Sequence, residues 1–155
     1  MKLFSLFFLR ISLGSLFFSA GSTKVLDPSW SAAGYLMNAK TFSGLYTWFA
    51  SADILPSINF VNEWGLLLIG LCLILGIFVR ISSVAGAILM LLYYFPILNG
   101  WYPNPHSFIV DEHIIYFFAL LTLAAFRAGR IYGLEKWCSE LPICSRLPKL
   151  RALLG

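Results

Sequence analysis

Apolar runs at about 3–21, 58–79, 81–98 and 109–128 alternate with short segments that hold the turn-forming residues of the chain. An α-helix needs roughly 20 apolar residues to cross the ~30 Å hydrocarbon core of a bilayer, so these runs predict four spans. The expected fold is an all-α integral membrane four-helix bundle. The first run could be a secretory signal, but such signals have an uninterrupted apolar region, and Arg10 lies inside this one. It is therefore read as the first span.

Arg80 and the Ser82-Ser83 pair separate the second and third runs and predict a tight hairpin there. Pro96, Asn99-Gly100, Pro103 and Pro105 then break the helix and make 99–107 a short external loop. Only thirteen uncharged residues lie between Ile114 and Phe126, too few to cross. The fourth helix is accordingly expected to start near Ile109 and to carry Asp111, Glu112 and His113 in its first turns. The external segment 28–56 has its own pattern: Leu45, Trp48, Phe49 and Ala52 form one apolar stripe, as do Trp30, Ala33 and Met37 upstream. One or two short interfacial helices are expected in it.

Charge supplies the orientation. Lys2, Arg80, Arg127, Arg130, Lys136, Arg146, Lys149 and Arg151 fall on the side of the termini, against Lys24 and Lys40 on the other. The excess of basic residues marks the cytoplasmic face, so both termini are expected in the cytoplasm and the protein in the cell inner (plasma) membrane. Residues 1–137 form a single transmembrane domain on this reading, and 138–155 a basic cytoplasmic tail.

Composition agrees: of 155 residues 59% are hydrophobic and 12% charged, with a mean hydropathy of +0.82, which makes lipid the solvent. Aromatic residues make up 17% of the chain, and many Trp and Tyr fall near span ends as interface anchors. A net charge of +4 raises the question of nucleic acid, but six of the eleven basic residues follow the last apolar run, where the membrane surface accounts for them. Nucleic-acid binding is excluded. Cys138 and Cys144 are spaced unlike a redox or zinc pair, and Cys72 lies mid-span, so reduced thiols are expected.

In the first span Arg10, Gly14, Phe17, Gly21 and Lys24 share one helical face. Charge turned to lipid is costly and glycines let helices approach, so this face should point inward as both packing seam and polar lining. In the second span Glu63, Leu67, Gly70, Ile74 and Ile77 share a face, and Glu63 sits at a depth similar to Lys24. Cys72 points the opposite way from Glu63. With Asp111, Glu112 and His113 these residues could form one external polar cluster.

Two interpretations stand. In one, Lys24 and Glu63 are a structural ion pair and Asp111 and Glu112 contact headgroups and water. In the other, His113 carries protons near neutral pH with Glu63 and Glu112 as partners, while Lys24, Arg10 and Asp111 bind substrate, as quinone reduction or thiol oxidation requires. His106 reads as a loop residue. Consecutive helical positions point about 100° apart, so Asp111, Glu112 and His113 cannot converge on one metal ion, and no metal is expected.

The whole pattern resembles the DoxX family of small four-helix membrane proteins. The resemblance rests on Arg10 and Gly14, the Gly21-Ser-Thr-Lys24 turn, Glu63 with Gly70, Gly76 and Arg80, the acidic opening of the fourth span at Glu112, and Gly129-Arg130 followed by Gly133-Leu134-Glu135-Lys136-Trp137. Departures are Ala20, where many relatives have histidine, and Glu135-Lys136 in place of Asp-Arg. The resemblance implies a four-helix fold with structural roles for Gly14, Gly21, Gly70, Gly76, Arg80 and Gly129. It further implies a membrane component of a quinone- or thiol/sulfur-linked redox system, since relatives include the membrane subunit of thiosulfate:quinone oxidoreductase. The alternative it carries is a non-catalytic anchor that assists a soluble enzyme or a secreted-peptide maturation system. No bound cofactor is expected, only quinone as a diffusible co-substrate. Expected partners are the lipid bilayer and a soluble or membrane redox protein, with a homo-oligomer left open.

Overall fold

The computed structural model describes residues 1–140, and side chains through Trp137. Three helices are long and apolar enough to cross a membrane: α1 (Lys2–Val25), α4 (Leu55–Leu75) and α5 (Val79–Ile97). Between α1 and α4 lie two short helices, α2 (Ala33–Met37) and α3 (Ser43–Phe49), which form a cap over one end of the bundle. A fourth apolar helix, α6 (Glu112–Ala125), follows α5, and a 3₁₀ turn (Ala128–Arg130) and α7 (Leu134–Glu140) close the end opposite the cap. The described residues contain no strand, and the basic residues and Cys144 of the expected tail lie outside them.

α1 packs along α4 and α5 along α6, and the two pairs meet through a core built on Phe17, Leu66, Leu73, Val79, Leu120 and Leu123. Glycine sets the closeness of the first pair. A Cβ on Gly70 would lie 2.2 Å from the backbone nitrogen of Phe18, and one on Gly21 would lie 2.4 Å from that of Leu67. The surface around the helices is apolar, with Phe8, Leu68, Ile88 and Phe118 all more than half exposed. Water would not tolerate so continuous a band, and lipid does.

The structure corrects two expected boundaries. The hairpin between the second and third spans is at 76–78, not at Arg80: Gly76 ends α4 in the left-handed conformation, with φ of 67°, which glycine adopts without strain. Arg80 is in the first turn of α5 and exposed. α6 starts at Glu112 rather than near Ile109, because Asp111 caps it, accepting from the backbone N–H groups of His113 and Ile114 at 3.1 and 3.2 Å. At 14 residues, α6 is about 21 Å long, short of a full crossing by itself.

The cap turns only part of its apolar stripes inward, with Trp30 and Phe49 packed against its core. Leu45, Trp48 and Met37 are exposed, whereas Ala32, Leu36, Ala39 and Tyr46 are buried against Phe95 and Ile58. In a membrane protein the outward face is as apolar as the inward one, so periodicity finds a stripe without deciding which way it points. Polar bonds hold the cap down. The Lys40 N–H donates to the Pro96 carbonyl at 2.9 Å, Thr41 Oγ1 to the Leu98 carbonyl at 2.6 Å, and the Ala32 N–H to Asn59 Oδ1 at 3.0 Å.

Candidate functional site

Between the cap and the ends of α1, α4 and α5 lies a cavity of about 420 Å³. Most of its wall is apolar, from residues such as Leu36, Phe49, Ile58, Leu89 and Leu92, and a few polar groups converge on it: Lys24, Tyr35, Asn62, Tyr93 and His113. Its size falls within the roughly 300–1,000 Å³ range of small-molecule sites, and a mainly apolar wall with few polar groups is their usual make-up.

His113 is set by its neighbour. Asp111 caps α6 through Oδ1 and meets His113 Nδ1 through Oδ2 at 2.6 Å. Asp111 is buried, so this partner is held fixed, and the Nε2 atom of His113 has no hydrogen-bond partner among the described residues. The imidazole meets the Tyr93 ring edge-on, with centroids 5.9 Å apart. Tyr93 donates its hydroxyl to Asn62 Oδ1, while Tyr35 of the cap donates to the Tyr93 carbonyl. Burial pushes the Tyr35 phenol well above its usual value, helped by the nearby tyrosines and by the charge of Asp111. Tyr35 is therefore a neutral donor.

Lys24 lies in the last turn of α1, half-buried. Its ammonium donates to the Ala20 carbonyl at 3.2 Å and lies 5.3 Å from the centre of the Trp30 ring, with no carboxylate in ion-pair range. Lysine at a helix C-terminus suits the helix dipole, and the aromatic face adds a cation–π contact. The positive end is left available to something in the cavity.

Of the residues expected in one cluster, Lys24, Asp111, Glu112 and His113 come together, and two do not. Glu63 is half-buried on α4 but lines neither this cavity nor its neighbour, and the expected Lys24–Glu63 ion pair does not form. The helix turns Asn62 inward, so that Glu63 falls to the side. Arg10 shares the inward face of α1 with Lys24, but fourteen residues separate them, about 21 Å along the axis. It is buried at the far end, where it donates to the carbonyls of Ala128, Ile131 and Tyr132, so it is a structural clamp rather than a substrate ligand. Glu112 is exposed, and His106 is exposed in the loop expected for it.

Tyr93, Asn62, Tyr35 and Trp30 were not singled out as site residues by sequence. Asn62 offered a signal, a polar side chain within an apolar run. The tyrosines and Trp30 were indistinguishable from interface anchors.

The glycines support the same architecture. Gly14, Gly21 and Gly70 line the α1–α4 seam, Gly76 leaves room for the Arg10 guanidinium, and a Cβ on Gly129 would sit 1.8 Å from Glu135 Oε2. A family model, DoxX, matches residues 5–97, which takes in α1, the cap, α4 and α5. The chain belongs to the DoxX family. No curated protein and no solved structure matches it. This DoxX protein is a membrane protein whose apolar helices contact lipid, and the cap cavity lies largely within the stretch that defines the family. His113 and Asp111 come from beyond that stretch. Among the described residues no three His, Cys, Asp or Glu side chains converge as metal ligands would.

Proposed function

We propose that this DoxX protein is the membrane component of a quinone-linked redox system, binding a quinone ring in the cap cavity and moving protons through His113. The observation that carries the reading is the His113–Asp111 pair, 2.6 Å apart, on the wall of an apolar cavity that also presents Lys24 and Tyr93. A quinone needs two electrons and two protons to become a hydroquinone. The Lys24 ammonium suits one carbonyl oxygen, where negative charge grows on reduction, and His113 suits proton delivery, with Asp111 fixing its orientation. The electrons come from a thiol or sulfur compound: two thiols form a disulfide and release two electrons and two protons. In this reading α6 with its flanking residues is the fourth span, the cap faces the outside of the inner membrane, and both termini are cytoplasmic, as the basic residues favour.

The test is quinone absorbance during incubation of the purified protein in lipid nanodiscs with a short-tailed quinone and a thiol or thiosulfate. Asp111→Asn keeps a good helix cap while removing the charge beside His113. The reading expects reduction above the protein-free rate, and a loss of at least about tenfold in the Asp111→Asn variant, within the usual range for general acid–base catalysis. A rate equal to the protein-free control, or an unaffected variant, overturns it.

A further inference from the structure

A second cavity, of about 280 Å³, adjoins the first. Lys24, Tyr93 and His113 line both, so the two chambers meet at these three side chains. The second chamber lies in the seam between α1 and α6. Those helices pack against α4 and α5 respectively and touch each other only sparsely, which leaves a gap on that flank of the bundle. Phe17, Met90 and Tyr116 form its walls, and Leu16, 39% exposed, stands at its lipid-facing edge. Leu16 lies eight residues before Lys24 on the same helix, so the chamber descends about 12 Å from the polar junction toward the bilayer interior.

We infer that this seam takes the aliphatic tail of a neutral, single-chain lipid amphiphile whose carbonyl head rests against Lys24 and His113 in the cap cavity. The inference rests on the quinone reading of that cavity and extends it to the class of quinone and the route by which it arrives. The chamber is apolar except at its polar junction and at Glu112, which is exposed and shares the chamber wall with Lys24. The buried Asp111 carboxylate, 2.6 Å from His113, puts fixed negative charge at the junction and disfavours an anionic head, such as a fatty acid or phospholipid phosphate. A carbonyl accepts from Lys24 without that repulsion. A tail lying in a gap open to lipid lets the molecule slide in sideways from the bilayer, so its apolar part need not pass through water.

The experiment uses the full chain in nanodiscs with two probes: an isoprenoid-tailed quinone carrying a photoactivatable diazirine on its tail, and the same quinone ring without a tail. Mass spectrometry of the cross-linked protein is expected to place tail adducts on α1 and α6 near Leu16 and Tyr116, removed by excess unlabelled tailed quinone. The tailed quinone should bind at least tenfold more tightly than the tailless ring. In Ala20→Trp, and in Leu16→Trp as a second filling variant, the tailed-to-tailless affinity ratio should fall toward one. A tailless ring that binds while the ratio is already near one in the unaltered protein overturns the seam and leaves the cap site standing. Adducts spread evenly over lipid-facing positions such as Phe8, Leu68 and Phe118 overturn it as well. Binding of neither probe overturns the seam together with the quinone reading.

Discussion

The guanidinium of Arg10 donates to the carbonyl of Ala128 at 2.7 Å, joining the first helix to the turn that follows the last apolar one, 118 positions away. Further bonds to Ile131 and Tyr132 complete the clamp, and only Nε is left without a partner. The Ala128 carbonyl also accepts the Ile131 N–H at 3.2 Å, and the five-donor guanidinium adds bonds to it and to the Ile131 and Tyr132 carbonyls at the exit of the 3₁₀ turn.

Arg10→Ala should therefore remove the guanidinium bonds to the Ala128, Ile131 and Tyr132 carbonyls, and bonds from a charged donor contribute about 1.5–3 kcal/mol each. The expected total is about 3 kcal/mol or more, read as a lowered unfolding midpoint in detergent. Arg10→Lys, which cannot span three carbonyls with one planar fork, should recover only part of the loss. A midpoint in Arg10→Ala equal to that of the unaltered protein would show that the clamp contributes nothing.

Glu135 gives this end a pH dependence. It is 2% exposed, its Oε1 accepts from the Val79 N–H at 3.3 Å, and Oε2 has no partner. Burial pushes its carboxyl up to about 7 from 4.5, against the opposing pull of the Val79 bond and of Arg130, Arg10 and Arg127. The folded state thus holds a proton between pH 4.5 and 7 that the unfolded chain releases, and stability from this group falls as pH rises through that window and levels off above it. Thermal unfolding should show the protein more stable at pH 5 than at pH 8, with a visibly flatter profile in Glu135→Gln. An unchanged slope in that variant would assign the pH dependence elsewhere.

Gly70→Ala should force α1 and α4 apart, since the new methyl would meet Phe18 backbone at 2.2 Å and the Gly14 carbonyl at 2.8 Å. A cost of about 1–3 kcal/mol is expected from overpacking. Gly65→Ala is the internal comparison: its Cβ would meet nothing within 4 Å, so it should be neutral or stabilising by up to ~1 kcal/mol through helix propensity. Equal effects of the two substitutions on the unfolding midpoint would rule out a glycine-dependent seam.

A double-mutant cycle on Lys24 and Glu63 separates pairing from mere proximity. With no ion pair between them, Lys24→Met and Glu63→Gln should act additively, within about 0.5 kcal/mol. Coupling of about 1 kcal/mol or more, measured by unfolding in detergent, would show that the side chains meet in solution.

Sequence alone determined that the chain lives in a membrane, where its apolar helices fall to within a few residues, that α1 turns Arg10, Gly14, Phe17 and Gly21 inward, and to which family it belongs. These properties depend on run length, on local helical spacing and on the cost of charge in lipid, all of which are written along one dimension. Tertiary structure alone decided which polar groups meet. Sequence placed Arg10 and Lys24 on one face, but only the packing of the 3₁₀ turn against α1 sent Arg10 to a clamp while Lys24 went to the cavity. Sequence put Glu63 at the right depth, yet adjacent helical positions point about 100° apart, and the rotation of α4 gave the inward place to Asn62. Tyr35 and Trp30 joined the site because hydrogen bonds from the cap to α4 and α5 folded it over the bundle end, a long-range arrangement that no local pattern encodes.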